Sequence, residues 1–129
     1  MTIKDRIINA LISAGLSPVT AAYAFAQAAH ETGNFTSVLY LTNNNCFGMK
    51  MPKLRSTTAD KEQLGYAHYK TIEDSAKDYA LWYKFVRLPG GLQTVDQFVN
   101  GLHSKAYFEA PLEEYVNGVK RWHKFYFNE

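Results

Sequence analysis

The stretch PVTAAYAFAQAAHET, beginning at Pro18, constrains the fold more than any other. Its six alanines, at 21, 22, 24, 26, 28 and 29, cover nearly every side of the helix it would form, so neighbouring elements can approach closely all round. The pattern predicts the central, buried helix of a domain. Ser17 is the expected N-cap, Pro18 the first helical residue, and Gly33 the stop. The last turn of this helix carries His30 and Glu31.

Other helices are expected around it. Ile3, Ile7, Ile8, Leu11 and Ile12 recur at helical spacing behind a Thr2/Asp5 capping box, which predicts a helix over roughly 3–14. Thr71 and Asp74 repeat the box before IEDSAKDYALWYKFVR, which stops ahead of Pro89 and Gly90-Gly91. Thr94 and Gln97 do so before VDQFVNGLHS. Leu112, Tyr115, Val116, Val119, Trp122 and Tyr126 mark a closing helix after Pro111. From Asn34 to Lys70 no helical period persists and turn formers are frequent. A short hairpin is expected there, with strands near 54–58 and 65–70 around a polar tip at Asp60 to Gln63. The expected fold is therefore mostly α (α+β): one compact domain over 1–129, with about five helices and a small β-hairpin lobe.

Length and charge narrow the function. A chain of 129 residues suits one domain with one active unit. A net charge of +2 is too small for the basic stripe that nucleic-acid binding requires, and the basic run VKRWHKF reads as a solvated face beside a core stripe. No nucleic-acid partner is expected. Cys46 is the only cysteine, which excludes an intrachain disulfide and reads as a small buried residue before Phe47. The N-terminal stretch MTIKDRIINALISAG has neither the length of a membrane span nor a signal-peptide apolar region. No membrane insertion is expected, and work outside the cytoplasm would need another route of delivery.

Most catalytic patterns fail. HETGN has the start of a zinc-binding HExxH, but Asn34 stands where the second histidine belongs, and His68, His103 and His123 lack metal-ligand spacing. No metal is expected. A GxSxG elbow and a glycine-rich phosphate loop are both missing. Glu31 remains. A carboxylate in the last turn of an alanine-rich helix meets the negative end of the helix dipole and a desolvating environment, and both raise its pKa. Such a group can hold a proton near neutral pH and deliver it to a glycosidic oxygen. The plainer alternative is a glutamate that caps or pairs at the helix end. Asn43, Asn44 and Asn45 offer uncharged donors and acceptors suited to sugar hydroxyls and acetamido groups, although such clusters also make turns.

AFAQAAHETGNF and NNNCFGMK together resemble the signature of bacterial and phage glucosaminidase domains, glycoside hydrolase family 73. That signature reads A-Q-A-x-x-E-[ST]-G and then N-N-x-F-G-[IM]-K. The matching positions are Ala26, Gln27, Ala28, Glu31, Thr32 and Gly33, then Asn44, Asn45, Phe47, Gly48, Met49 and Lys50. AHYKTIEDSAKDYALWY is similar to a second family stretch through Tyr69, Asp74, Ser75, Asp78 and Tyr79. KAYFEAPLEEYVNGV is similar to the family's Y-A-T-D-P-x-Y region through Tyr107, Pro111 and Tyr115, with Phe108 and Glu109 in place of a small and a hydroxyl residue. The resemblance runs in order over residues 17–127.

It implies a lysozyme-like domain that hydrolyses the β-1,4 bond after N-acetylglucosamine in peptidoglycan. Glu31 would be the acid and Tyr107 would lie near the reacting sugar. Asn44, Asn45, Phe47, Gly48 and Tyr69 would be substrate-binding. No cofactor is implied, and the partner is the glycan strand of the bacterial cell wall, met by a monomer in the periplasm, outside the cell or after phage delivery. Family members carry a second acidic residue in the hairpin lobe, for which this chain offers Asp60 or Glu62, with Glu62 preferred. A separation from Glu31 of ~6.5–9.5 Å would fit an inverting mechanism and ~5–5.5 Å a retaining one, while a longer gap would favour help from the substrate's acetamido group. The rival expectations are a muramidase, a lytic transglycosylase, or a non-catalytic wall-binding or structural module of a phage particle or secretion machine.

Overall fold

The computed structural model describes residues 1–92 and 94–127. Among them are six helices and one two-stranded antiparallel sheet: α1 (Ile3–Ser13), α2 (Pro18–Glu31), α3 (Val38–Asn43), β1 (Lys61–Gln63), β2 (Tyr66–His68), α4 (Ile72–Phe85), α5 (Val95–Ser104) and α6 (Leu112–Phe127). Glutamine 93 and residues 128–129 lie outside the described residues.

Side-chain oxygens open the helices as the sequence predicts. Thr2, Ser17, Thr71 and Thr94 each accept a hydrogen bond from the backbone amide three residues on. The capping boxes of α1 and α5 are closed reciprocally by Asp5 and Gln97. Ala21, Ala24, Ala26, Ala28 and Ala29 are fully buried, so α2 is the central helix. It packs against α1 and α6, while α1 also packs on α4, and α5 on α6. Phe25, Tyr79, Phe98, Ile7 and Leu11 supply the bulk that the alanines leave room for.

Two expectations are corrected between Asn34 and Lys70. A short helix, α3, forms where none is expected. Its Val38 and Leu41 face solvent and its one buried residue is Asn43, so it leaves no apolar stripe in the sequence. The Ser37 hydroxyl oxygen caps it instead, and Asn44 ends it in the left-handed region at φ 52°. The hairpin is also displaced. Its first strand is Lys61–Gln63 rather than 54–58, and its tip is Leu64-Gly65 rather than Asp60 to Gln63. Both tip residues have positive φ, 57° and 77°, the geometry that a two-residue turn needs to match strand twist. Residues 54–58 form a loop because α4 claims their side chains. Arg55 pairs with Asp78 at 2.6 Å, Thr57 donates to the same carboxylate, and Thr58 donates to the Asp74 carbonyl.

No helix of the described residues is long and apolar enough to cross a membrane.

Candidate active site

The end of α2 opens onto a cleft of about 810 Å³. Its floor holds His30 and Glu31. One wall is the 47–52 segment with Tyr66 of β2; the other is the 105–110 loop with Tyr115 of α6, and Trp82 of α4 also lines it.

Glu31 is accessible from the cleft, yet protein crowds its other sides. Glu31 is thus open to solvent on the cleft side and partly desolvated by the protein around it. That desolvation raises its pKa above the ordinary carboxyl value, against a smaller opposing effect from Tyr115, whose hydroxyl donates to Oε1 at 2.6 Å. The C-terminal end of the α2 dipole acts in the same direction as burial. On the opposite side, a Cβ on Gly48 would stand 3.4 Å from Glu31 Oε2. Gly48 has φ +68°, so the position calls for glycine on backbone grounds as well.

Two rings hold Tyr115 in place. Phe108 stacks on it face to face, with centroids 3.8 Å apart and planes 4° from parallel, and His30 meets it edge-on at 4.8 Å. Its hydroxyl is pushed far up in pKa by burial and by the Glu31 charge, so it remains a proton-bearing donor. His30 itself fills a notch in α6: a Cβ on Gly118 would come within 2.2 Å of its Nδ1. Burial, followed by the nearby Arg121 charge, lowers the pKa of His30. The imidazole is held towards its neutral form beside the carboxyl group.

The remaining sequence candidates divide. Tyr107 lines the cleft, tilted against Trp82 at 4.7 Å, and its hydroxyl is engaged by the Phe47 carbonyl at 2.6 Å. Phe47 is fully buried and stacks on Tyr79 at 4.1 Å, so its ring is a support for the wall and not a platform for a sugar. Gly48 lies at the carboxyl group, as described.

The two asparagines expected in the groove are turned to other work. Asn45 is 1% exposed; its amide nitrogen donates to the Met49 and Ala67 carbonyls and its oxygen accepts from the Phe47 and Met49 amides. Asn44 donates to the Tyr69 and Lys70 carbonyls, and Asn43 likewise reaches Gln63 and Ala67. These amides staple α3 and the cleft wall to the hairpin because the short β ladder leaves carbonyls that need donors. Tyr69 is also off the cleft, fully buried with its hydroxyl on Asp78.

The hairpin carboxylates are not among the residues that line the cleft. Asp60 pairs with His68 at 2.6 Å, which holds it below the usual carboxylate range, and Glu62 is exposed on β1; neither lines the cleft. The displacement of the strands explains this, since both residues lie along or beside β1 and not at a tip. The second carboxylate lining the cleft is Glu109. Neither it nor the Glu31–Tyr115 bond is legible in the sequence. Tyr115 sits at core spacing on α6, and 84 positions separate it from Glu31, so no local pattern joins them. The departure of Phe108 and Glu109 from the third motif was the one available signal.

Among the described residues, no group of three or more histidine, cysteine or acidic side chains is placed to hold a metal ion.

A family model described as mannosyl-glycoprotein endo-beta-N-acetylglucosaminidase matches residues 9–126. Over 53 residues the chain is 42% identical to the protein named Protein bax of Escherichia coli (strain K12). That alignment takes in 41% of this chain and 19% of the other protein. No solved structure gives a significant match.

Proposed function

The chain belongs to the glucosaminidase family of glycoside hydrolases, and from that premise we propose that it cleaves the β-1,4 bond after N-acetylglucosamine in peptidoglycan, with Glu31 as the general acid. The observation that carries this reading is the setting of Glu31: a partly desolvated carboxyl group in the lining of an open cleft, hydrogen-bonded on one oxygen by Tyr115.

The chemistry follows from that setting. Desolvation shifts Glu31 towards its protonated form, the form a general acid needs. As the bond between the anomeric carbon and the bridging oxygen stretches, the leaving oxygen gains basicity and takes the Glu31 proton. The carboxylate left behind faces the positive charge that develops on the sugar ring, and the Tyr115 hydroxyl steadies it. Tyr107 and Trp82 give the cleft an aromatic wall against which a sugar face can lie. The substrate is the glycan strand, and the place of action is the cell wall.

Digestion of purified peptidoglycan by the wild type and by Glu31→Gln tests the reading. The wild type should release fragments with reducing N-acetylglucosamine ends, and the variant should be slower by about 100-fold or more. Equal release by both, or none by either, would sink it. Mass spectrometry of the ends separates this activity from a muramidase or a lytic transglycosylase, which leave N-acetylmuramic or anhydro ends. Retention on the wall without cleavage would identify a binding module.

A further inference from the structure

Hydrolysis of a glycosidic bond needs a proton for the leaving oxygen and a stabilised or activated nucleophile on the other face of the sugar, a task most often shared by two carboxylates. Two carboxylates line this cleft, Glu31 and Glu109. The hairpin pair is placed differently: Asp60 is engaged by His68, and neither Asp60 nor Glu62 lines the cleft.

Glu109 belongs to the loop between α5 and α6, and the two residues before it pin that loop to the cleft. Tyr107 donates to the Phe47 carbonyl on the opposite wall, at 2.6 Å. Phe108 stacks on Tyr115, the residue that bonds Glu31. The position of Glu109 is therefore coupled to that of the acid through one aromatic stack. Its own carboxylate is exposed and, among the described residues, has no hydrogen-bond or ion-pair partner, which leaves both oxygens available to a water molecule.

We propose that Glu109 is the second catalytic carboxylate of this cleft, the base that activates the attacking water. This rests on the glycosidase reading of Glu31. The water oxygen bonds to the anomeric carbon of N-acetylglucosamine as the bond from that carbon to the bridging oxygen breaks. One water proton passes to Glu109 and the Glu31 proton passes to the bridging oxygen. Direct attack of this kind inverts the anomeric centre, so the β-linked strand yields an α-configured new end.

The test compares Glu109→Ala with Asp60→Asn and Glu62→Gln on purified peptidoglycan, with and without azide, melting temperature being the control for folding. A base contributes about 100-fold or more, so Glu109→Ala should fall by at least that factor while the two hairpin variants stay within about threefold of wild type. Azide needs no base and should restore Glu109→Ala, giving an α-glycosyl azide. Activity of Glu109→Ala closer to wild type, a loss that azide does not restore, or a β-configured end or azide would overturn the assignment; the β product would point to the substrate's own acetamido group. These outcomes are separate from failure of the glycosidase reading, which the wild type and Glu31→Gln alone decide.

Discussion

The acidity of Glu31 is a balance between desolvation, which holds the proton on, and the Tyr115 hydroxyl, which stabilises the anion. Removing the hydroxyl tips that balance one way. Tyr115→Phe keeps the stack on Phe108 but deletes the donor, so the pKa of Glu31 rises further. With protonated Glu31 as the proposed acid, activity should persist to higher pH: the alkaline limb of kcat/KM moves upward, while kcat falls by about 10-fold from the lost hydrogen bond to the developing carboxylate. The pH–rate profile of the variant checks this, and an alkaline limb that stays in place or moves downward would contradict it. Lys50, Arg55 and Lys105 also line the cleft, and the substitution leaves them in place. His30 is held towards neutrality, Tyr79 and Tyr107 stay protonated because burial pushes them up, and Glu109 lies across the same cleft.

Between elements, the site depends on how α6 receives the end of α2. His30 occupies the space that a side chain at 118 would need, and the same ring meets Tyr115 edge-on. Gly118→Ala must push the imidazole out of its notch. The expected cost is about 1–3 kcal/mol, seen as a lower urea midpoint, together with reduced turnover as Tyr115 loses its edge contact. An unchanged midpoint would show that α6 yields without strain. The helices themselves were legible because their signals are local: Ser17-Pro18, the Thr2/Asp5 and Thr94/Gln97 boxes, and the alanines of α2. The place of Glu31 at the end of α2 was legible for the same reason, as a charge in the last turn of a capped helix. What was not legible depends on partners distant in sequence. Asn44 and Asn45 have the chemistry of sugar ligands, and only the carbonyls of the hairpin 22–26 residues away reveal that their amides are already committed. α3 hides because it buries a polar residue, and the hairpin tip hides because Leu64 is an uncommon choice at positive φ.

Among the described residues one hydrophobic cluster joins the helices to the cleft wall. The cluster that holds Ile7 and Leu11 of α1 and the alanines of α2 continues through Tyr79 and Phe98 to Tyr115 and Val119, and it includes Phe47 and Met49 of the cleft wall. The buried Arg55–Asp78 pair, with side chains 7% and 0% exposed, ties the loop ahead of the hairpin to α4 as well. A wall that belongs to the core cannot melt ahead of it. Thermal unfolding followed by calorimetry should therefore show a single transition whose midpoint is independent of protein concentration. A separate early transition would mean that the hairpin side is an independent unit, and a concentration dependence that the chain associates. The aromatic wall carries one more consequence. The chain has two tryptophans; Trp82 lies in the cleft against Tyr107, while Trp122 sits on α6 beside Phe125 and Tyr126. The indole in the cleft is thus a built-in optical probe, and its emission colour registers whether water or a sugar face lies beside it, without any label.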